Sequence, residues 1–412
     1  MFVQYSVKNY KSIKEEVIIN FSATDKNVAK NLVIDGDEAT PLYKAIGLVG
    51  PNACGKSNIL DSIFFSLKFI NSTIKRKESA KINVERFMLD IESKKDDASF
   101  EFIFIESGVK YVYGFSINEE RIMEEYLLAY YTKKATTIFD RDVNREEEYN
   151  FKGNDVKIQM DISQKTNPNR LYMPVAAEWG YEKAKIPYKW FEKMFKQYGN
   201  MNTSLVIEDV VKNESKKGIL LDALKKADFN IVDIFVKNRK MEKQQREALL
   251  TFLTQFLGDG EIEQDLVPED RPIIWVKHKA KNGEEFALEL DDDSAGTRDI
   301  IDNIAEFLYV SDNGGLIIED EMGRNYHRKL TEYFINLFND KIRNEGKAQM
   351  IFSTHDTKVL NLLRPEQIYL VDKDEDGATY VKLLDDYLIR EKDNIELGYL
   401  KGRYGAIPNI KE

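Results

Sequence analysis

The sequence predicts an α/β fold with a mainly parallel sheet and a separate antiparallel β lobe, and three patterns carry that expectation. The apolar run Ala45 to Val49 enters a glycine-bearing loop, then a segment with apolar residues at helical spacing, Ile59, Ile63, Leu67 and Ile70. The last third alternates short apolar runs with amphipathic stretches, the order of a parallel sheet covered on both faces. Between these regions, Ser99 to Tyr131 alternates with a period of two, as half-buried strands do.

Taken in chain order, Phe2, Tyr5 and Val7 begin one short strand, and Val17, Ile18, Ile19 and Phe21 form a second. Asn9-Tyr10-Lys11-Ser12 turns between them. Ala45 to Val49 reads as a buried strand, and Asn58 to Ile70 as the helix after its loop. Phe100, Phe102 and Phe104 alternate, and Lys110 to Ile117 alternates again after the turn Glu106-Ser107-Gly108, giving a hairpin or meander. Residues 180–260 are richer in helical patterning. Leu220, Leu221, Leu224 and Ala227 mark one amphipathic piece, and Arg246 to Leu257 another. Ile273 to Val276 and Phe286 to Leu290 read as strands flanking the turn Lys281-Asn282-Gly283. A helix over Ile300 to Val310 follows, then a strand at Leu316 to Ile318 and a helix over Tyr326 to Phe338. Two more strands, Gln349 to Phe352 and Gln367 to Val371, complete the pattern. The expected division is an N-terminal lobe over 1–180, a mainly helical insertion over 181–270 and a C-terminal lobe over 271–412.

Composition narrows the function classes. A chain of 412 residues with net charge −11 is a poor general coat for DNA, because phosphate contacts need Lys and Arg on one face. Local patches such as Lys75-Arg76-Lys77 or Lys237 to Lys240 keep DNA as a candidate partner; the blander reading of each is a solvated face. Cys54 is the only cysteine, which excludes an internal disulfide and a multi-cysteine zinc site. No stretch approaches the roughly 20 apolar residues of a membrane span. No membrane partner is therefore expected, and the cytoplasm is the default location.

The loop Gly50-Pro51-Asn52-Ala53-Cys54-Gly55-Lys56-Ser57 fits G-x-x-x-x-G-K-[ST] at every fixed position. Glycines let backbone N–H groups turn toward phosphate oxygens, and the following helix adds its positive N-terminal end. Lys56 would meet the β- and γ-phosphates, and Ser57 would offer a hydroxyl to Mg2+. Strand before and helix after supply the context this phosphate loop requires. A second carboxylate is then needed for the metal, with a group to orient attacking water. The strand end Glu319-Asp320-Glu321 offers both: Asp320 on the magnesium side and Glu321 as the base. The next strand ends in Ser353-Thr354-His355-Asp356, where His355 can donate to a γ-phosphate.

Together these residues resemble the ATP-binding-cassette branch of P-loop ATPases, most closely the part that includes SMC, RecF and OLD-type proteins. Val7-Lys8-Asn9-Tyr10-Lys11-Ser12 resembles that branch's first strand and "NFRS" turn. Gly50 to Asn58 is similar to its "GxNxxGKSN" loop. Asp293-Ser294-Ala295-Gly296-Thr297-Arg298 resembles its signature motif. The resemblance implies an ABC-type ATPase head, a P-loop NTPase with a mixed sheet, an antiparallel β lobe and a helical insertion. It also implies that Ser294, Ala295, Gly296 and Thr297 meet ATP bound to a second subunit. Glu124 to Leu127, Ala227 to Asp233 and the ending Gly402 to Ile410 resemble a bacterial family of stand-alone AAA-type ATPases. Members of that family often sit beside an RloB-type or nuclease-like partner and are associated with anti-phage defence. Where the family has Leu-His-Pro after its acidic pair, this chain has Met322 to Arg328; His327 aligns and the proline is missing.

The resemblance thus implies an ATPase (cofactors ATP and Mg2+) that works as a homodimer or higher oligomer, a nucleotide-gated clamp acting on a separate effector. A second class is an OLD-like nuclease or DNA-repair ATPase acting directly on DNA. After His355, however, only about 57 residues remain, short of a typical added domain. Asp372, Asp374 and Asp376 could ligate a metal, or simply form an Asp-Gly turn. A transporter cassette is the third class, opposed by the N-terminal sequence and the large middle segment.

Overall fold

The computed structural model describes residues 1–23, 28–30, 32–37, 40–199, 203–226, 229–244, 246–248, 270–324, 327–340, 344, 347–389 and 393–407. The chain opens with β1 (Phe2–Lys8) and β2 (Val17–Asn20), paired antiparallel. A short ribbon, β3 (Val33–Asp37) and β4 (Thr40–Tyr43), leads to β5 (Ala45–Val49) and α1 (Lys56–Ser72). Four long strands follow: β6 (Ala98–Glu106), β7 (Val109–Ile117), β8 (Ile122–Tyr130) and β9 (Thr136–Asp142), with the short β10 (Tyr149–Asn150). They join β1 and β2 in a seven-stranded sheet of order β10-β9-β8-β7-β6-β1-β2. The meander expected over 99–131 is therefore present. It extends further, because β1 pairs with β6 as well as with β2.

Five helices come next: α2 (Val156–Ser163), α3 (Tyr172–Glu178), α4 (Glu182–Gly199), α5 (Thr203–Lys212) and α6 (Glu214–Lys226). The helical expectation for 181–270 needs a correction at 231–240. That segment is β11 (Ile231–Lys240), paired with β12 (Asp270–Lys279), which in turn pairs with β13 (Glu285–Glu289). Its β-branched and aromatic residues, Ile231 to Val236, suit a pleated surface better than a helix. The amphipathic piece predicted over Arg246 to Leu257 lies almost wholly outside the described residues, as do Ala227, Asp228 and Pro408 to Ile410.

The C-terminal region holds α7 (Ala295–Asn313), β14 (Gly315–Glu319), α8 (Arg328–Asn339), β15 (Ala348–Thr354), β16 (Ile368–Lys373), β17 (Thr379–Leu383) and α9 (Ile395–Leu400). The helix expected from Tyr326 starts at Arg328, because His327 caps it and accepts the Lys329 N–H. The five-stranded sheet runs β14-β15-β5-β16-β17. Its first four strands are parallel and β17 is antiparallel, a mixed sheet. This sheet, with a glycine loop leading into α1, is the α/β fold of P-loop NTPases, and the seven-stranded sheet is its antiparallel lobe.

Alternate side chains of a strand point to opposite faces, so a covered sheet divides its residues between two cores. Ile46 and Leu48 of β5 and Ile351 of β15 enter the core shared with the antiparallel lobe. Ala45, Val49, Met350 and Phe352 enter the core under α5 to α8. Gln349 joins the two sheets: its amide accepts the Phe2 N–H at 2.8 Å and donates to the Phe2 carbonyl at 2.9 Å. A buried polar side chain satisfied on both sides fixes the registry of β1 over β15.

Candidate functional site

Val49 pairs with Thr354 across β5 and β15, and Phe352 pairs with Glu319 across β15 and β14. Three neighbouring parallel strands therefore end together. The segments leaving them are 50–57, 320–324 and 355–361. The carboxyl ends of such strands are where open α/β sheets bind ligands.

Packing forces the shape of the phosphate loop. A Cβ at Gly50 would lie 2.1 Å from the Val371 carbonyl, and one at Gly55 would lie 2.0 Å from Thr379 Oγ1. Gly55 also has φ 110° and Ala53 φ 59°, so the loop turns through left-handed backbone twice. Lys56 is buried and donates to the carbonyls of Gly50 and Pro51, each at 2.8 Å. Its ammonium sits 3.7 Å from the Cys54 sulfur. Burial pushes the Cys54 thiol up, and Lys56 only partly opposes that. A neutral, enclosed thiol is a poor nucleophile, which fits a packing role.

A hydrogen-bond chain braces the loop from outside. Asn58 donates to Ser12 Oγ at 2.6 Å. Thr379 Oγ1 gives its proton to the Cys54 carbonyl at 2.8 Å, so Ser12, 2.7 Å away, donates to Thr379. Sequence reasoning singled out Ser12 only by resemblance and missed Thr379 altogether. No local pattern marks a threonine on an edge strand as a loop brace.

Asp320 and Glu321 meet through Ser353. The serine hydroxyl donates to Asp320 Oδ1 at 2.5 Å and accepts the Glu321 N–H at 2.8 Å. Glu321 adopts φ 56°, a left-handed backbone uncommon for a residue other than glycine. Its carboxylate pairs with Arg324 at 2.8 Å. His355 is exposed at the end of β15. Desolvation holds its imidazole below the usual histidine range, helped by the Lys56 ammonium and opposed by Glu321 and Asp320. That favours the neutral ring, which carries one N–H to donate. An open cleft of about 1030 Å³ runs from Gly50–Asn52 past His355 and Thr357 to the C-terminal segment Tyr399–Ile407.

Ser294 caps α7: its hydroxyl accepts the Thr297 N–H at 3.2 Å and lies 2.8 Å from Thr297 Oγ1. Asp293, just before it, is held by His278 Nε2 at 2.8 Å. Ser294 to Thr297 do not line the phosphate-loop cleft of their own chain. Asp291 and Arg298, which flank them, face a different cavity of about 170 Å³ beside α5.

Hydroxyl and carboxylate oxygens, the donors that Ser57 and Asp320 carry, are of the type Mg2+ takes; it usually takes one or two protein oxygens and completes its shell with phosphates and water. Among the described residues no group of three or more His, Cys, Asp or Glu is arranged to hold a metal. Asp374 is committed to a turn, accepting the N–H groups of Asp376 and Ala378 at 3.0 and 2.8 Å. Asp372 accepts from Lys373 and Ala406. The basic clusters also have local roles. Arg76 lies over the Phe69 ring at 5.1 Å and donates to the Lys81 carbonyl. Lys237 lies over Trp275 at 4.4 Å, and Arg239 pairs with Glu289.

Residues 46–159 match the family described as "AAA domain, putative AbiEii toxin, Type IV TA system". No curated protein matches the chain. Among solved structures, the chain is similar to an SMC head bound to the C-winged helix domain of ScpA, at 14% identity and TM-score 0.45 over 92% of this chain and 97% of that one. It is also similar to the SMC head domain from Thermotoga maritima, at 13% identity and TM-score 0.40 over 93% and 98%. A third similar structure is the Smc head domain of Pyrococcus furiosus with an extended coiled coil, bound to the C-terminal domain of ScpA, at 14% identity and TM-score 0.36 over 92% and 95%.

Proposed function

We propose that this chain is an ABC/SMC-like ATPase that binds and hydrolyses ATP and acts as a nucleotide-gated dimeric switch. One observation carries the reading: the phosphate loop, the Asp320–Ser353–Glu321 cluster and His355 leave the ends of three adjacent parallel strands. In this reading Gly50 to Asn58 hold the triphosphate, with Lys56 as the charge that meets its terminal oxygens. Ser57 and Asp320 would hold Mg2+, which would draw off negative charge as the terminal bond breaks. Glu321 accepts a proton from the attacking water as its oxygen bonds to the γ-phosphorus and the bond to the ADP leaving group breaks, and His355 donates a hydrogen bond to the γ-phosphoryl oxygens. An adjoining cavity of about 900 Å³, edged by Lys11, Ser12 and Asn58, gives room for the rest of the nucleotide.

Ser294 to Thr297 complete the site from a second copy. A capped helix start with small residues suits a phosphate brought by another subunit. Closure on ATP and opening on hydrolysis then signal to a separate effector, a nuclease or RloB-like protein, in anti-phage defence in the cytoplasm. The matching family's description as a putative toxin supports a defence setting. The functional division is 1–180 for the phosphate-loop lobe, 181–270 for the insertion and 271–412 for the signature and acidic strand end. No described helix is long and apolar enough to cross a membrane.

Calorimetry of Mg-ATP binding tests the reading, with Lys56→Ala as control and sedimentation to follow dimer formation. Binding by the unmodified chain, lost in Lys56→Ala, is the expected result. A well-folded chain that takes up no ATP or slow analogue overturns it.

A further inference from the structure

The phosphate-loop cleft has a wall that the proposed chemistry leaves without a role, the C-terminal unit from Asn394 to Ile407. Glu396, in the first turn of α9, uses both carboxylate oxygens on one short segment. Thr357 donates its hydroxyl to Oε1 at 3.1 Å, and Asn361 donates its amide to Oε2 at 3.2 Å. Thr357 to Asn361 form a single 3-10 turn that begins two residues after His355. Turns of that kind are short and weakly held by their own hydrogen bonds. The Asp356 side chain steadies one end, accepting the Lys358 N–H at 3.0 Å. Across the turn, the Glu396 carboxylate holds both ends, one oxygen to each.

The same unit is tied to the phosphate loop's other side. Tyr399 donates its hydroxyl to the Ala406 carbonyl at 2.6 Å, and Ala406 donates its N–H to Asp372 at 3.1 Å. Asp372 follows Val371, whose carbonyl presses against Gly50 of the loop. At Gly398 a Cβ would lie 2.6 Å from the Tyr404 hydroxyl oxygen, so α9 and the tail are fitted to each other. One continuous set of contacts thus runs from Gly50 through Asp372, Ala406 and Tyr399 to Glu396, and on to the segment behind His355.

We propose that Glu396 is a positioning residue, which holds the 357–361 turn so that His355 stays aimed at the phosphate-loop cleft. The assignment rests on the ATPase reading above. Glu396 touches no reacting atom, so its loss acts on turnover through His355 and leaves nucleotide affinity nearly intact.

Steady-state hydrolysis and equilibrium Mg-ATP binding on the full chain test it, with Glu396→Ala, Glu396→Gln, Asn361→Ala and His355→Ala. Glu396→Ala should lower kcat about tenfold while KM and Kd stay within about twofold. Glu396→Gln, which keeps a carbonyl acceptor, should return kcat to within about threefold of the parent. Asn361 is exposed, so Asn361→Ala probes the same clamp in a folded chain and should lose about threefold. His355→Ala should cost less in the Glu396→Ala background than alone, because coupled residues are not additive. Normal kcat in Glu396→Ala, equal losses in affinity and kcat, or full additivity with His355→Ala each overturn the assignment. Failure of the unmodified chain to bind ATP removes the ATPase reading and this assignment with it; normal turnover in Glu396→Ala removes this assignment alone.

Discussion

Thr379 donates its hydroxyl to the main-chain carbonyl of Cys54 at 2.8 Å, although the two residues are 325 positions apart. An edge strand near the end of the chain thereby sets the curvature of the loop that follows β5. Thr379→Val keeps the shape and removes the donor. A net hydrogen bond is worth about 1 kcal/mol, so Mg-ATP affinity should fall roughly fivefold with the fold retained. Equal affinity in the two proteins, measured by calorimetry, would show that the loop holds its shape without this bond.

Glu321→Gln keeps the volume of the proposed base and removes its basicity. Turnover should fall by about 10²-fold or more, the usual contribution of a positioned base. ATP should still bind, and the dimer fraction in sedimentation should rise. Hydrolysis at the parental rate would move the base elsewhere.

Ser353 links Asp320 to the Glu321 backbone, so Ser353→Ala should loosen both at once. The expected change is a fall in kcat of about tenfold and a higher Mg2+ requirement, read from a magnesium titration of the ATPase rate. An unchanged magnesium dependence would mean that Asp320 needs no help to hold its place.

Carboxylates crowd the contact between α7 and β14. Burial raises Glu306 to about 8, with Glu319 and Asp302 adding repulsion. Burial likewise raises Glu319 to about 7; Asp299, Asp320 and Asp302 add to this and a hydrogen bond from Asn303 opposes it. Asp302 rises to about 6 through burial, Asp299 and Asp291, against Arg298. A carboxyl group with a raised folded pKa binds more protons in the native state than in the unfolded one. Its stabilising effect is full below the unfolded pKa and is lost as pH rises through the folded one. Thermal stability should therefore decline between about pH 5 and pH 8. Glu306→Gln should flatten that decline, raising Tm by about 2–4 °C at pH 8.5 with little change at pH 5. Parallel melting curves for the two proteins across this range would remove the argument.

Glu125 is a structural anchor in the antiparallel lobe. It is fully buried and accepts from the Tyr113 hydroxyl at 2.9 Å and from the N–H groups of Tyr172 and Met173 at 2.5 and 2.8 Å, at the start of α3. Arg141 faces it at 3.9 Å. Glu125→Ala leaves three donors and part of a guanidinium unpaired, so it should destabilise by about 3–5 kcal/mol, read by denaturant unfolding. A loss under 1 kcal/mol would mean that water replaces the carboxylate.

The sequence by itself determined the phosphate loop, the antiparallel meander and the strand ends that carry Asp320, Glu321 and His355. These signals are local: glycines at fixed spacing, a period of two, an apolar run ending in acids. Strand β11 escaped because its apolar pattern is short and sits among charged, helix-like neighbours; pairing with β12 decided it. Tertiary structure alone decided that Thr379 and Ser12 brace the loop, that Ser353 joins Asp320 to Glu321, that Gln349 ties the two sheets, and that Glu396 backs the segment after His355. Each of those is one polar side chain satisfying a backbone or side-chain partner far away in the chain. Such pairings leave no periodicity in a sequence, because they depend on which elements the folded core brings side by side.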